Sequence, residues 1–469
     1  MSLFAAIQVL LGAAALAGPS DPTLQIAAVL RDRLLGGRGA AEIAGSLCDG
    51  VGPRLAGSDG AREARRWAVR ELARLGLRNV HEEPLSEPRW VRGAETAEIV
   101  SPVRQRLAVA ALGGSGPTPR DGIEAEVLAT KNLETLAALA AKEPAIARGR
   151  IVFFTERTDR TRDGSGYGRA VSIRYGGPDE ARKLGAAAVV IRSVGTSSTR
   201  LPHTGVMKVE PGIAPLPAAA LSAPDADLLE RIAAGGVVRL RLTLGCRTEP
   251  DAPGANVVGE IPGSERPEEI VLLAAHLDSW DLGTGAIDDG AGVGIVAEAA
   301  RAIAVLPRAP RRTLRVVLFA DEENGGRGGA AYANAHRGEL DRHVAALEMD
   351  LGTDRVYRIA ASGGPEADAV VGAVEELLRP IGVTERAADA GGGSDVAGLR
   401  AFGVPMLDLN QDASRYFDFH HSADDTVDKI DPANLAQATA AAAVLAWVVA
   451  DEPGTLGRIP PEKRKQATW

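Results

Sequence analysis

The sequence lacks three features that would place it in particular classes of protein. It has no excess of basic charge, since its formal net charge is -9 and its pI is near 5.5, whereas a nucleic-acid-binding protein would show a basic patch or stripe. Beyond the N-terminus it has no apolar run of the ~20 residues that cross a bilayer. It has only two cysteines, Cys48 and Cys246, which are too few to indicate the cellular compartment and leave open whether they pair.

A short apolar run at the N-terminus is typical of a secretory signal. Residues 3–17 are apolar, and Ala15 and Ala17 are small residues at the spacing that signal peptidase requires. The run is too short to span a membrane. No positive charge precedes it, so a buried N-terminal helix is the alternative interpretation. We predict that residues 1–17 are a signal peptide cut near Ala17, and that the protein is secreted or periplasmic.

The rest of the chain is long enough for two or three domains. Its middle segment, residues 122–246, has a different sequence pattern, with short strand-like runs and only two evident helices. The runs are at residues 150–154, 187–191, 216–220 and 237–244. We predict a small, mostly β domain here, inserted between residues 18–121 and 247–455, which together form the main domain. Residues 456–469 are predicted to be a polar tail.

Strands and helices alternate after residue 255. Continuous apolar runs of the kind found in buried central strands occur at residues 270–275, 314–320, 345–349 and 404–409. Helical segments fit at residues 291–306, 329–337, 366–378 and 432–451. This alternation predicts an α/β fold in which the main domain is a doubly wound mixed sheet.

Polar residues of one kind follow three of these predicted strands or lie on nearby loops. They are His276, Asp278, Asp288, Glu322, Glu323, Asp350, His420 and His421. Ligands of open α/β sheets collect at the carboxyl ends of the strands, and imidazole with carboxylates suits zinc or a similar divalent ion. Each residue alone has an ordinary explanation, such as a helix cap or a solvated turn. Together, however, the carboxylates would repel one another unless a dication held them, so we predict a metal site.

These motifs resemble those of the M28 metallopeptidases. The resemblance rests on HLDSWD at residues 276–281, GAIDDG at 285–290, the pair Glu322–Glu323, Asp350, and FHHS at 419–422. It extends to GPRLAGS at 52–58, PRWVRG at 88–93, IRSV at 191–194 and PHTG at 202–205, and thus covers most of the chain after the signal. It implies a zinc-exopeptidase fold in which the inserted segment is a protease-associated-like domain that caps the active site.

The resemblance also implies a ligand set for two zinc ions. Asp288 would bridge the two ions. His276 and Asp350 would complete the coordination of one, and Glu323 and His421 that of the other. The choice of His421 over its neighbour rests on the family motif, in which the ligand directly precedes the small hydroxyl residue.

Two further residues receive catalytic roles from the resemblance. Glu322 would be the general base, and Asp278 would orient the imidazole of His276, a role that metal-bound histidines usually need filled. Two zinc ions sharing a water would supply a metal-bound hydroxide, whose proton Glu322 would take and pass to the leaving amine. Tyr416 is a candidate donor to the oxyanion, although a packed aromatic ring is an equal alternative.

Four residues are candidates for substrate contact. His420 adjoins a predicted ligand, and Ser394 and Asp395 follow three glycines in a loop for which there are two interpretations, a loop that faces the substrate and a plain turn. His203 lies in a Pro/Gly-containing loop of the inserted segment, where an ordinary surface histidine is the favoured alternative.

The resemblance thus implies an exopeptidase acting on dipeptides or short peptides, of carboxypeptidase or dipeptidase type. An aminopeptidase of the same family is the main alternative. A glutaminyl cyclase would share the fold but keep one zinc ion, and a non-catalytic binding protein would be expected to lose Glu322 or a ligand. A homodimer is the expected oligomer.

Overall fold

The structure, a computed structural model, describes residues 21–464, so the predicted signal peptide lies outside the described residues. The helices are α1 (Asp21–Leu35), α2 (Gly39–Gly50), α3 (Asp59–Arg74), α4 (Leu133–Lys142), α5 (Ser165–Ala170), α6 (Ser172–Tyr175), α7 (Gly177–Lys183), α8 (Ala223–Ala234), α9 (Ala291–Ala304), α10 (Arg327–Ala335), α11 (Ala367–Leu378), α12 (Tyr416–Phe419) and α13 (Pro432–Asp451). The strands are β1 (Arg78–Val91), β2 (Glu95–Ser101), β3 (Gln105–Leu107), β4 (Val109–Ala111), β5 (Ile123–Thr130), β6 (Ile151–Phe154), β7 (Ala188–Arg192), β8 (Ala218–Leu221), β9 (Arg239–Leu244), β10 (Arg247–Ile261), β11 (Arg266–His276), β12 (Arg312–Phe319), β13 (His343–Glu348), β14 (Val356–Ser362), β15 (Glu385–Ala387) and β16 (Met406–Gln411). Short 3-10 helices occur at Arg337–Arg342, Arg379–Ile381, Ala397–Phe402, Val427–Lys429 and Pro461–Lys463.

The main domain is built on an eight-stranded mixed sheet. Its strand order is β1-β10-β12-β11-β13-β16-β14-β15. The four central strands, β12, β11, β13 and β16, run parallel, whereas β1, β10 and β14 pair antiparallel with neighbours. The predicted α/β fold with a mixed sheet is confirmed, and the four apolar runs predicted as central strands lie on β11, β12, β13 and β16.

Helices cover both faces of this sheet, as the doubly wound pattern requires. Alternate side chains of β11 enter different cores because successive residues of a strand point to opposite faces. Val271 and Leu273 face the core shared with α9 and α13, while Leu272 and Ala274 face the core that includes Tyr332 of α10. These buried strands form the rigid layer that carries the site residues.

Helix α13 has the predicted bounds, and its N-terminus is capped by Asp431. The Asp431 carboxylate accepts a hydrogen bond from the backbone N–H of Ala433 at 2.8 Å, a usual N-cap interaction. Contrary to the expectation that no segment beyond the N-terminus is long and apolar enough to cross a membrane, this helix meets both criteria, alone among the described residues, but almost all of its apolar stretch is buried inside the protein. It is therefore accounted for as the central helix of the core.

The first helical segment differs from its prediction. Residues 24–47 are amphipathic throughout, a pattern that predicts a single helix, but the structure has α1 and α2 separated by residues 36–38. Gly36 and Gly37 lie at the break, and each glycine inside a helix costs about 1 kcal/mol relative to alanine. The break lets both helices pack against the core beside α9 and α13.

A second eight-stranded sheet forms a separate layer, in the order β3-β2-β9-β5-β6-β7-β8-β4. We call residues 95–244 the second domain, because the chain leaves the first sheet after β1 and returns to it with β10. The division predicted at residue 122 cuts through this sheet, since β2, β3 and β4 pair within it. The segment also carries helices α4 to α8 and is therefore less purely β than predicted. The short β3 and β4 escaped notice because three residues show no periodicity.

The C-terminal residues that the structure describes pack against the main domain. Leu456 and Ile459 are buried, and the Arg458 guanidinium donates to the backbone carbonyl of His343 at 2.9 Å. Residues 456–464 are therefore attached to the domain, and the predicted polar tail is wrong for this stretch. Its two apolar residues were outweighed by the charged residues around them.

The two cysteines are buried and free. The Cys48 thiol of α2 lies 3.4 Å from the carbonyl oxygen of Gly285, and Cys246 lies 3.2 Å from that of Ser115. The sequence left their pairing open, and the structure places them in different cores.

Candidate metal centre

The candidate site lies at the carboxyl edge of the parallel strands. The chain passes from β11 to β12 on one side and then crosses to β13 on the other side, which makes this edge a topological switch point where ligands are expected. His276 ends β11, Glu323 follows β12 after a short turn, and Asp350 follows β13. The structure thus brings together three residues that the strand-end argument had grouped.

Asp288 reaches this edge from the turn Ala286–Gly290 that leads into α9. The turn is held by the buried carboxylate of Asp425, which accepts a hydrogen bond from the backbone N–H of Ile287 at 2.6 Å. Burial, followed by the charge of Asp288, raises the pKa of Asp425 to about 7. The position of Asp288 is therefore set by a second acidic side chain beneath it.

The neighbouring Asp289 has a structural role. Its carboxylate accepts from the backbone N–H of Gly292 at 3.0 Å and from that of His276 at 3.2 Å. It therefore caps the start of α9 and ties that helix to the end of β11.

A first group of possible metal ligands surrounds the imidazole of His276. Its Nε2 lies 3.1 Å from Asp288 Oδ1 and 3.5 Å from Asp350 Oδ1. Its Nδ1 faces the other way, 3.1 Å from the backbone carbonyl oxygen of Asp278 and 3.6 Å from its carboxylate. The ring thus presents Nε2 to the cluster while Asp278 supports the opposite nitrogen.

A second group is centred on His421. Its Nε2 lies 2.9 Å from Glu323 Oε2 and 3.2 Å from Asp288 Oδ2. The two oxygens of Asp288 therefore face two different imidazoles. Asp288 is shared by both groups.

His420 stacks on His421, with ring centroids 3.5 Å apart. Its Nε2 lies 3.5 Å from Asp288 Oδ2, and Asp288, His420 and His421 together could also hold an ion by distance. The geometry keeps His420 as an alternative ligand, but the contact with Glu323 is made by His421.

The electrostatics of the cluster indicate a demand for positive charge. Burial opposes charge on His276, yet neighbouring carboxylates, Asp350 foremost, raise its pKa well above the ordinary range. Burial also opposes charge on His421, but Glu323 and Asp288 raise its pKa to about 9. Burial raises the pKa of Glu323 and of Asp350. The carboxylates thus draw protons onto both imidazoles, a charge that a bound dication would supply instead.

Several buried oxygens of the cluster lack a hydrogen-bond donor. Asp288 Oδ2, Glu323 Oε1 and Asp350 Oδ1 have no hydrogen-bond partner in the part of the chain that the structure describes. Buried polar atoms are normally paired, and oxygen with imidazole nitrogen is a donor set that suits zinc. The residues present therefore fit a divalent metal ion.

Glu322 lies beside this cluster without joining its ion-pair contacts. Asp278 accepts from the backbone N–H of Glu322 at 3.1 Å and from that of Glu323 at 3.3 Å, so it fixes the turn after β12. Burial raises the pKa of Glu322 well above its ordinary range, although the charge of His276 opposes the shift. The Glu322 side chain lines the cavity that opens over the cluster.

This cavity has a volume of about 960 Å³ and lies between the two domains. Three of the residues predicted to act on the substrate, Tyr416, Ser394 and His420, line it. Two other predicted contacts, Asp395 and His203, are 1% and 2% exposed and do not line it. Asp395 lies behind the wall and accepts from the backbone N–H of Gly329 at 3.2 Å.

His203 is also a buried residue and not the surface histidine that its loop suggested. Burial lowers its pKa to about 3, and its ring nitrogens have no hydrogen-bond partner among residues 21–464. The ring packs on Gly195, where a Cβ would lie 2.2 Å from His203 Cε1. Substrate contact by Asp395 and His203 is therefore wrong in this geometry, because packing has withdrawn both side chains.

Sequence reasoning missed Arg174, a cavity residue of the second domain. It belongs to α6, is 7% exposed, and lines the cavity beside the cluster. Its Nη1 donates to the Tyr167 hydroxyl at 2.5 Å and lies 3.3 Å from His421 Nδ1. It forms no ion pair with a carboxylate of the described residues. A four-residue helix in another domain carries no sequence signal that would have indicated this position.

The α/β sheet carries imidazoles and carboxylates at its topological switch point, beneath a large cavity. This combination of fold and residue cluster is typical of a metal-dependent hydrolase. A family model for peptidase family M28 matches residues 256–446. Carboxypeptidase Q of Mus musculus is 39% identical over 415 residues, which are 88% of this chain and 86% of that protein. Carboxypeptidase Q of Homo sapiens is 38% identical over 413 residues, covering 88% and 85%. The chain belongs to peptidase family M28.

Solved structures agree with this assignment. The crystal structure of a peptidase M28 precursor from Shewanella amazonensis is 43% identical and superposes with a TM-score of 0.91, covering 94% of this chain and 99% of that chain. A zinc aminopeptidase from Bacillus subtilis, 20% identical, has a TM-score of 0.63 over 91% of this chain and 98% of its own, and shares the fold. The predicted family is confirmed, and the protein is a metallopeptidase homologous to hydrolytic exopeptidases.

Proposed function

We propose that this protein is a two-zinc exopeptidase of carboxypeptidase or dipeptidase type, acting on dipeptides or short peptides. The observation that carries the proposal is the position of the Asp288 carboxylate. One oxygen lies 3.1 Å from His276 Nε2 and the other 3.2 Å from His421 Nε2. A carboxylate shared by two ligand groups in this way suits a pair of metal ions.

In this proposal Asp288 would be a ligand of both ions, with His276 and Asp350 completing one set of ligands and Glu323 and His421 the other. His421 is preferred to His420 because its Nε2 is the nearer of the two to Asp288 and also lies 2.9 Å from Glu323. When bound, the two zinc ions would lower the pKa of a shared water and polarise the substrate carbonyl.

Glu322 is proposed as the general base that takes the proton of the attacking water and delivers it to the leaving amine. Of the other carboxylates that line the cavity, three belong to the ligand set and Asp389 is paired with Arg400 at 2.8 Å. Asp278 orients Glu322 through its backbone N–H and supports His276 from behind. Tyr416, on the cavity wall, is proposed to donate to the oxyanion that forms on the carbonyl.

Arg174 supports recognition of a free carboxyl terminus. A buried cation without a carboxylate partner is costly unless a ligand pairs with it. A peptide whose scissile bond lies over the metal cluster could place its terminal carboxylate at this guanidinium, in a charge-assisted contact. An aminopeptidase, the alternative within the family, would instead need an uncommitted carboxylate to hold a terminal ammonium group.

The second domain is proposed to act as a protease-associated-like cap. It supplies Arg174 and lies over the metal cluster, and thereby separates the reacting bond from bulk water. Export of the protein by the predicted signal peptide and a homodimeric state remain predictions.

A panel of substrates tests this proposal. Unblocked dipeptides, N-blocked dipeptides and C-amidated peptides are incubated with the protein, with and without a chelator and added zinc. We expect cleavage of peptides with a free carboxyl terminus, loss of cleavage with chelator, and recovery with zinc. Cleavage of amidated peptides that depends on a free amine would favour the aminopeptidase. Cyclisation of N-terminal glutamine would favour a glutaminyl cyclase. A protein that binds zinc but cleaves none of the peptides would favour a non-catalytic binding protein.

The variant Arg174→Gln sharpens this test. Truncating one partner of a buried charge pair costs about 2–5 kcal/mol, so kcat/KM for N-blocked dipeptides should fall by roughly 100-fold. Arg169→Gln is the matched control, because Arg169 is an exposed arginine of neighbouring α5 paired with Asp159 and should leave kcat/KM unchanged. Equal kcat/KM for Arg174→Gln and the wild type would refute the role of this residue.

A further inference from the structure

Two sequence motifs without a part in the proposed chemistry meet where the two domains touch. Arg92, of the PRWVRG motif, lies in the connection between β1 and the second domain, and donates through Nε and Nη2 to the carboxylate of Asp281 in the main domain, at 2.8 Å in both contacts. The same Nη2 donates to Thr204 Oγ1, of the PHTG motif, at 3.2 Å. The backbone N–H of Thr204 in turn donates to the carbonyl oxygen of His421 at 2.9 Å. A chain of hydrogen bonds thus runs from the second domain to the backbone of a proposed ligand.

A second set of contacts holds Phe417 and Asp418, which precede His421 in the chain. The Arg160 guanidinium donates to both oxygens of Asp418, at 2.6 and 2.9 Å. Thr196 donates to Asp418 through its hydroxyl at 2.8 Å and to the carbonyl of Phe417 through its N–H at 2.9 Å. We call Arg92, Arg160, Thr196 and Thr204, with Asp281 and Asp418, the clasp.

The segment that the clasp holds has little regular structure of its own. Helix α12 is a single turn, and His421 has a φ of 59°. Residues other than glycine seldom adopt this left-handed conformation, so it persists where surrounding contacts fix it. The bond from Thr204 to the His421 carbonyl is such a contact, and it comes from the other domain.

The other ligand group is built differently. His276, Asp288 and Asp350 come from β11, the turn before α9 and the loop after β13, all within the main domain. The two groups should therefore respond differently when contacts between the domains are weakened.

We infer that the second domain positions His421, and that the clasp sets the metal affinity of the His421–Glu323 group while leaving the His276–Asp350 group unaffected. Arg160 is then a positioning residue that acts through Asp418. This inference rests on the proposed ligand set, and it makes the second domain a structural part of one metal position in addition to its role as a cap.

The test compares Arg160→Gln with Arg157→Gln in calorimetric titrations of the zinc-free full-length protein with zinc. Arg157 is a matched control, because it is similarly exposed and also makes ion pairs with carboxylates, but its partners, Asp227 and Glu230, both lie in the second domain. We expect two binding steps in the wild type and in Arg157→Gln. In Arg160→Gln one step should be unchanged and the other weakened roughly 10-fold, at the lower end of the effect of outer ligand partners. Arg160→Lys should restore part of the loss.

Thermal unfolding of the zinc-free variants separates positioning from a general loss of stability. Equal weakening of both steps in Arg160→Gln, with a lower melting temperature of the zinc-free protein, would overturn the inference, and so would two unchanged steps. If the wild type binds two zinc ions, the proposed function stands even when the Arg160→Gln result overturns this inference. A wild-type protein that binds one ion or none would overturn the proposed function and this inference with it.

Discussion

Replacement of Glu322 by glutamine should stop turnover while leaving both metal ions bound. Glutamine keeps the size of the side chain and the backbone N–H that donates to Asp278 at 3.1 Å, but it cannot accept a proton at neutral pH. General-base catalysis contributes about 10²–10⁴-fold, so we expect kcat to fall by that factor, equivalent to about 3–5 kcal/mol in the barrier. Zinc content should not change, because Glu322 lies outside both ligand groups.

The assay measures kcat on an unblocked dipeptide together with zinc per chain by atomic absorption. Asp389→Asn is the control, since it removes one negative charge from the same cavity at a carboxylate paired with Arg400; we expect its kcat to stay within a few-fold of the wild type. A Glu322→Gln protein with wild-type kcat and full zinc would refute the assignment of the base. A protein that lost zinc would instead show that Glu322 is a ligand.

Three further predictions concern the support of the site and the stability of the fold. Asp278→Asn should lower zinc affinity or kcat/KM by roughly 10–100-fold, because the amide presents an N–H to one of the two backbone N–H groups of Glu322 and Glu323; unchanged titration and kinetics would contradict this. Removal of zinc should lower the free energy of unfolding by about 4 kcal/mol for each ion lost when zinc was present at 1,000 times its Kd, and identical denaturation curves with and without chelator would contradict it. Burial lowers the pKa of His343 to about 4, below the ~6.5 of an unfolded histidine. The unfolded state therefore binds the proton more tightly, and the free energy of unfolding falls by roughly 3 kcal/mol as the pH is lowered from about 6.5 to 4. In the zinc-free protein, His343→Gln should therefore reduce the slope of the free energy of unfolding against pH in this window. A slope equal to that of the wild type would contradict this prediction.

The parts of the site that the sequence predicted are those governed by local chemistry. His276 and Asp350 follow short, continuous apolar runs typical of buried strands, and the carboxyl ends of parallel strands meet at one edge. Helix α13 begins as predicted because Asp431 and Pro432 are a strong local start signal. Such features require no knowledge of which segments pack together.

The parts that escaped prediction depend on packing between distant segments. Arg174 faces the cavity only because α6 lies over the main domain, and Asp418 meets Arg160 across 258 residues of sequence. Asp395 and His203 seemed exposed because glycine-rich loops usually are, yet both are buried by neighbours that no periodicity reveals. The strands of residues 95–111 were assigned to the wrong domain for the same reason.

The central claim is that Asp288 bridges two zinc ions held by the two ligand groups. The most direct measurement is anomalous diffraction at the zinc edge from crystals of the zinc-loaded protein. The account predicts two peaks about 3.5–4 Å apart, one beside His276 and Asp350 and the other beside His421 and Glu323, with Asp288 between them. A single peak, or a second peak held by His420 in place of His421, would contradict it.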